Sequence, residues 1–126
     1  MIEIRLPFPP SVNGMFKNVP GRGRAPTKEY EAWKHNAGWE LQAQRSRIPA
    51  LASPVEIRID LDERRRGDAD NRTKAVLDLL VAHRIIRSDS KKYVKRVSIG
   101  WEVVTGCRVS IIPQIAQDGE QNATGN

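Results

Sequence analysis

The chain is 126 residues long, 39% hydrophobic and 29% charged, with a formal net charge of +6 and a pI near 9.9. That length sets one domain with a modest core, and that composition excludes a disordered chain. No apolar run reaches the ~18 residues of a membrane span, residues 1–5 lack the basic start and apolar run of a signal peptide, and the single Cys107 excludes an intrachain disulfide or a cysteine-built zinc site, so no membrane contact is expected and the cytoplasm is the expected compartment.

A basic balance speaks to partners rather than to fold, nucleic acid first and an anionic membrane second. After Pro113 the charged residues are Asp118 and Glu120, which leaves the body of the chain at about +8. In chain order, Ile2, Ile4 and Leu6 alternate with Glu3 and Arg5, a short half-buried strand that Pro7-Phe8-Pro9-Pro10 ends. Residues 11–26 read as a long loop punctuated by Asn13-Gly14, Pro20-Gly21 and Gly23 and made basic by Lys17, Arg22 and Arg24. Such a loop either closes over a nucleic-acid backbone or is plain solvated surface. Thr27 caps a helix running to about Arg45, with Glu29 and Glu31 in its first turn and Tyr30, Trp33, Ala37 and Leu41 on one apolar stripe. Trp33 is expected in the core and His35 on the surface, while Trp39 falls off the stripe.

Residues 46–54 form a linker, and Val55 to Leu61 alternate cleanly as the most secure strand, with Glu56, Arg58 and Asp60 facing away from the core. A second helix is expected from about Asp70 to His83. Stepping 100° per residue puts Val76, Leu79, Leu80 and His83 on a core face and Asp70, Lys74 and Asp78 on a separate polar stripe. Ser88-Asp89-Ser90 is a turn. Tyr93–Val104 and Cys107–Ile112 read as two strands joined at Thr105-Gly106 in a hairpin. The order β-α-β-α-β-β predicts an α+β domain over residues 1–113, a mixed sheet of about four strands with two helices packed on it. A flexible polar tail over 114–126 follows.

The chemistry gathers where Arg64-Arg65-Arg66 runs into Gly67-Asp68-Ala69-Asp70-Asn71-Arg72-Thr73-Lys74. Hydrolysing a phosphodiester needs an activated water and neutralised phosphate charge, and a hard cation held by carboxylates supplies both. Asp68 and Asp70 point the same way if the backbone between them is extended. Without a cation, carboxylates so close repel and raise one another's pKa. Asp89 can reach them: the helix rises roughly 20 Å at 1.5 Å per residue, and the extended return from Arg84 spans roughly 20 Å as well. Lys74, one turn above Asp70, either faces a phosphate as a point charge or pairs with Asp70 or Asp78 along the helix. Arg64, Arg65, Arg66, Lys91, Lys92, Lys95 and Arg96 suit contacts to a nucleic-acid backbone. Taken alone, an Asp-x-Asp pair equally serves as a helix cap, and a triple arginine as a solvated run. The coincidence of all four features favours metal-dependent phosphodiester chemistry.

On these residues the chain resembles the RusA-type Holliday junction resolvases, the crossover junction endodeoxyribonucleases. The resemblance runs from about Ile2 to Pro113. It rests on residues 6–13 (Leu-Pro-Phe-Pro-Pro-Ser-Val-Asn), 65–74, 77–80 (Leu-Asp-Leu-Leu) and 86–89 (Ile-Arg-Ser-Asp). It implies a small α+β fold, a homodimer, and paired nicks in four-way DNA junctions with Mg²⁺ or Mn²⁺, in recombination and repair. It implies that Asp68, Asp70 and Asp89 are the metal-binding catalytic aspartates and Lys74 the functional lysine, and it is compatible with a prophage origin. The chain departs from the family at Ser88, where two adjacent aspartates are frequent, and at Arg84-Ile85-Ile86-Arg87, which replace aromatic or glycine features. The competing expectations are a nuclease for other branched DNA or structured RNA, and a non-catalytic nucleic-acid-binding module.

Overall fold

In the computed structural model, which describes residues 1–51 and 54–114, the first alternation forms strand β1 (Ile2–Leu6) with Ile4 and Leu6 buried. The proline run carries the chain off the sheet into a 3₁₀ turn (Val12–Gly14) and then a hairpin of β2 (Phe16–Val19) and β3 (Gly23–Pro26). The expectation of one long loop over 11–26 is corrected here. Pro20 and Gly21 fill the two central places of a turn closed by Arg22 N–H to Val19 O at 2.9 Å, and Gly21 takes φ 74°. Proline followed by a positive-φ glycine is the type II pattern, which lets residues 16–26 fold back on themselves. Fully buried Met15 anchors the hairpin's base in the core.

Helix α1 (Lys28–Gln44) starts as its cap predicts, with Thr27 Oγ1 accepting Tyr30 N–H at 3.1 Å and donating to Gly14 O at 2.6 Å. Its stripe of Tyr30, Trp33, Ala37 and Leu41 is buried, and Trp33 Nε1 donates to Pro7 O at 3.0 Å. Trp39 and His35 lie on the exposed side. Strand β4 (Val55–Asp62) follows, then a 3₁₀ turn (Asp70–Arg72) leading into α2 (Thr73–Ala82), which buries Ala75, Val76, Leu79 and Leu80. His83, stepped onto the core face, is half-buried at the helix end, where its Nδ1 lies 2.9 Å from Gln42 Nε2. Strands β5 (Val94–Glu102) and β6 (Cys107–Pro113) complete an α+β domain.

The main sheet runs β1-β6-β4-β5, with β5 parallel to β4 and the other pairs antiparallel. The expected hairpin between the last two strands is therefore wrong: β4 lies between them. In β6, Cys107, Val109, Ser110 and Ile111 are all buried, as suits a strand with neighbours on both sides. β5 is an edge, with Lys95, Arg96, Val97 and Ser98 exposed. The helices cover the face that carries Val55, Ile57, Ile59 and Leu61, each worth about 1.5–3 kcal/mol when fully buried. Asp60 faces away from that core as expected, covered by Arg108, whose Nε donates to it at 2.9 Å. No helix among the described residues is long and apolar enough to cross a membrane. Gln114 N–H still donates to Pro54 O at 2.9 Å, and the rest of the expected tail lies outside the described residues.

Candidate functional site

The site begins where β4 ends. Asp62, a residue 4% exposed, accepts through its carboxylate from Arg64 three times: the backbone N–H at 3.0 Å, Nε at 2.9 Å and Nη2 at 2.8 Å. It also accepts Gly106 N–H at 3.3 Å, while its own N–H donates to Gly106 O at 3.0 Å. This knot holds the β5–β6 connection over the end of β4. The Arg64 side chain holds the Asp62 carboxyl far below the usual carboxylate range, against an opposing push from burial. Arg64, expected on a DNA backbone, thus has its guanidinium engaged by Asp62, although the side chain stays 70% exposed.

Beyond it, the loop is fastened from inside by Arg72. Its Nη1 donates to Pro9 O at 2.8 Å and its Nη2 to Arg66 O at 3.4 Å. The guanidinium carbon sits 4.8 Å from the Phe8 ring centroid, and that of Arg65 sits 4.2 Å from the same centroid. Phe8 in turn stacks on Trp101 at 6.2 Å. Gly67 makes room for this arrangement: its φ is 118°, and a Cβ there would come within 2.3 Å of Arg72 Nη2. Burial pulls the Arg72 pKa down, nearby Arg65 adds to that, and Asp68 opposes it. Asp62, Arg72, Phe8 and Gly67 carry this loop, and local sequence reading assigns none of them a role. The available signal was the placement of Phe8, Gly67 and Arg72 inside the two longest matching motifs.

Asp68 and Asp70 lie on the outside of this loop, both exposed. The extended backbone that would aim both carboxylates one way is not what forms: Ala69 between them is helical, φ −74° and ψ −43°. Residues i and i+2 on a helical turn do not face each other. Asp89 is exposed in the turn after α2, where Ser90 N–H donates to Ser88 Oγ at 2.9 Å. The chain reaches it through Arg84 at φ 61°. Arg84 N–H bonds to Val81 O at 3.0 Å and Ile85 N–H to Leu80 O at 2.9 Å, a Schellman closure with Ile85 and Leu80 both buried. Lys74 Nζ pairs with Asp78 at 3.2 Å, one of the two roles open to it. It also lines a groove of about 350 Å³ with Val12, Phe16 and Arg24. Lys91, Lys92, Lys95 and Arg96 are exposed along the turn and the β5 edge.

As donors for a hard divalent cation the residues fit in kind. Asp68, Asp70 and Asp89 enter no ion pair among the described residues. Beside Asp70, Asn71 Oδ1 is a buried oxygen with no hydrogen-bond partner. All four groups offer the oxygen ligands that Mg²⁺ and Mn²⁺ take. They are not drawn into one cage: among the described residues no three His, Cys, Asp or Glu side chains are grouped to hold a metal ion.

Comparison with known proteins bears on the same stretch. The family model described as Endodeoxyribonuclease RusA matches residues 7–112. The crossover junction endodeoxyribonucleases RusA of Escherichia coli (strain K12), Enterobacteria phage 82 and Shigella sonnei (strain Ss046) are each 38% identical over 80 residues. Those alignments cover 62% of this chain and 65% of each relative, a little under two thirds of the relatives' length. With a match over nearly all of the described fold, the chain belongs to the RusA endodeoxyribonuclease family.

Proposed function

We propose that this chain is a Mg²⁺-dependent, structure-selective DNA endonuclease that resolves four-way junctions by paired nicks during recombination and repair. It acts in the cytoplasm as a homodimer, with Mn²⁺ also serving. The observation that carries this reading is the loop itself: two exposed carboxylates in no ion pair among the described residues, on a backbone fastened by Arg72 and entered through a run of arginines, in a RusA-family chain. Asp68, Asp70 and Asp89 would hold the cation. Gathering three like charges costs repulsion that a divalent ion offsets. The bound ion supplies an activated water and neutralises charge on the phosphate oxygens. Asp78, 3.2 Å from Lys74, restrains a long flexible cation one helical turn from Asp70, where it meets phosphate as a point charge. Arg65, Arg66, Lys91, Lys92, Lys95 and Arg96 contact the backbone, and Arg64 adds its exposed face while its knot with Asp62 supports the loop. A junction has two strands to cut and each copy one site, so two-fold pairing matches the substrate.

The test is Asp70→Asn assayed on a synthetic four-way junction with Mg²⁺. The variant is expected to lose about 10³-fold or more in cleavage rate. It should bind the junction as well as the unaltered protein or better, since a negative charge beside phosphate is gone. Cleavage by Asp70→Asn at the unaltered rate overturns the catalytic assignment. Binding without cutting, with either metal, favours a non-catalytic binding module.

A further inference from the structure

The groove beside Lys74 is not used by the chemistry above. Its lining is Val12 from the first 3₁₀ turn, Phe16 and Arg24 from the β2–β3 hairpin, and Lys74 from α2. The Phe16 ring is held edge-on against Tyr30, centroids 5.6 Å apart at 69°, which fixes its plane. The exposed Arg24 guanidinium lies 5.2 Å over that ring. The turn at Val12–Gly14 packs against the turn at Asp70–Arg72, so the groove adjoins the carboxylate loop as well as Lys74. Its volume, about 350 Å³, is at the small end of ligand sites. Two cations stand at its sides, and Lys17 and Arg22 on the same hairpin add positive charge nearby.

An aromatic plane of fixed orientation, a stacking guanidinium and flanking cations form a platform for a nucleobase whose own phosphates lie alongside. A paired base in a duplex presents only its edges, so only an unstacked base can enter. Branch points are where unstacking costs least. We propose that the groove formed by Val12, Phe16, Arg24 and Lys74 receives an unstacked DNA base next to the phosphate being cut, and so determines which nucleotide is tolerated there. The proposal rests on the endonuclease reading for the position of the cut.

The experiment is a double-mutant cycle between the protein and the junction. Four-way junctions carry an abasic site at each nucleotide flanking the cut in turn, and kcat/KM is measured with Mg²⁺. At the position that enters the groove, the abasic site and Phe16→Ala are each expected to reduce kcat/KM about tenfold, the size of one lost stack. Combined, they should still reduce it only about tenfold, because the same contact is removed twice. Phe16→Tyr should keep full sensitivity to the abasic site. Arg24→Ala, on an exposed side chain that does not threaten folding, should reduce it. Independent effects, about a hundredfold in combination at every position, overturn the proposal. So does dimer dissociation by Phe16→Ala without coupling to the abasic site, which would make the groove a subunit contact. If the protein cuts normally and the cycle is additive, the groove assignment alone falls. If it binds junctions but cuts none, the endonuclease reading falls, and the same cycle read in binding affinity decides the groove.

Discussion

At the scale of single residues, Asp62 has the sharpest consequence for stability. Its carboxylate is bound by Arg64 and by Gly106 N–H, and its pKa is held far below the usual carboxylate value near 3.8. A folded-state pKa lower than the unfolded one gives stability that is present above about pH 4 and is lost as pH falls below it. Asp62→Asn should therefore lower the melting temperature at neutral pH, and it should shrink the further fall between pH 5 and pH 3. Thermal unfolding across that range checks it, and equal pH dependence in both proteins would exclude Asp62 as the group responsible. Composition made Asp68, Asp70 and Asp89 legible as candidates, because clustered carboxylates beside arginines stand out in any linear reading. Arg72 did not stand out, because its work is done across 63 residues at Pro9 O. Local periodicity carries no information about such a contact. The helical backbone at Ala69 was equally hidden, since the same residues suit an extended entry to a helix.

At the scale of elements, burial periodicity was readable and pairing was not. The α1 stripe and the β4 alternation emerged from residue spacing because each element turns its apolar residues to one side. The β2–β3 hairpin escaped because Lys17, Asn18 and Arg24 face solvent and leave no apolar alternation, so Pro20-Gly21 was its one signal. Thr105-Gly106 does make a reversal, but which strand lies beside which is decided by burial on both sides of β6. The end of α2 carries a further prediction. Arg84 holds a left-handed conformation in a Schellman closure, where glycine has no Cβ to strain. It also lines one pocket with Arg45 and Arg87. Arg84→Gly should stabilise the fold by about 0.5–1 kcal/mol, raising the melting temperature by roughly 2–5 °C. A lower melting temperature would show that contacts of the Arg84 side chain outweigh its backbone strain.

At the scale of the whole molecule, the chain carries a net +6, and much of its positive charge falls in three stretches. Arg64 to Arg66 lead into the carboxylate loop, Lys17, Arg22 and Arg24 lie on the hairpin, and Lys91, Lys92, Lys95 and Arg96 follow Asp89. Attraction from such a surface is independent of base sequence and releases counterions, so the logarithm of affinity falls linearly with the logarithm of salt concentration, by about 0.9 per phosphate contacted. Arg65 is held over Phe8 at 4.2 Å, with the half-buried Arg72 on the same ring. That stacking restricts the side chain before DNA arrives, so little rotamer freedom remains to be lost on binding a phosphate. Arg65→Ala should weaken binding to all junction sequences alike and flatten the salt slope by about one unit, while Asp70→Asn binds as tightly or more so. Binding titrations at several salt concentrations on two unrelated junction sequences measure both quantities. An unchanged slope with a loss confined to one sequence would make Arg65 a reader of bases, and the electrostatic approach would then have to come from the hairpin and the β5 edge instead.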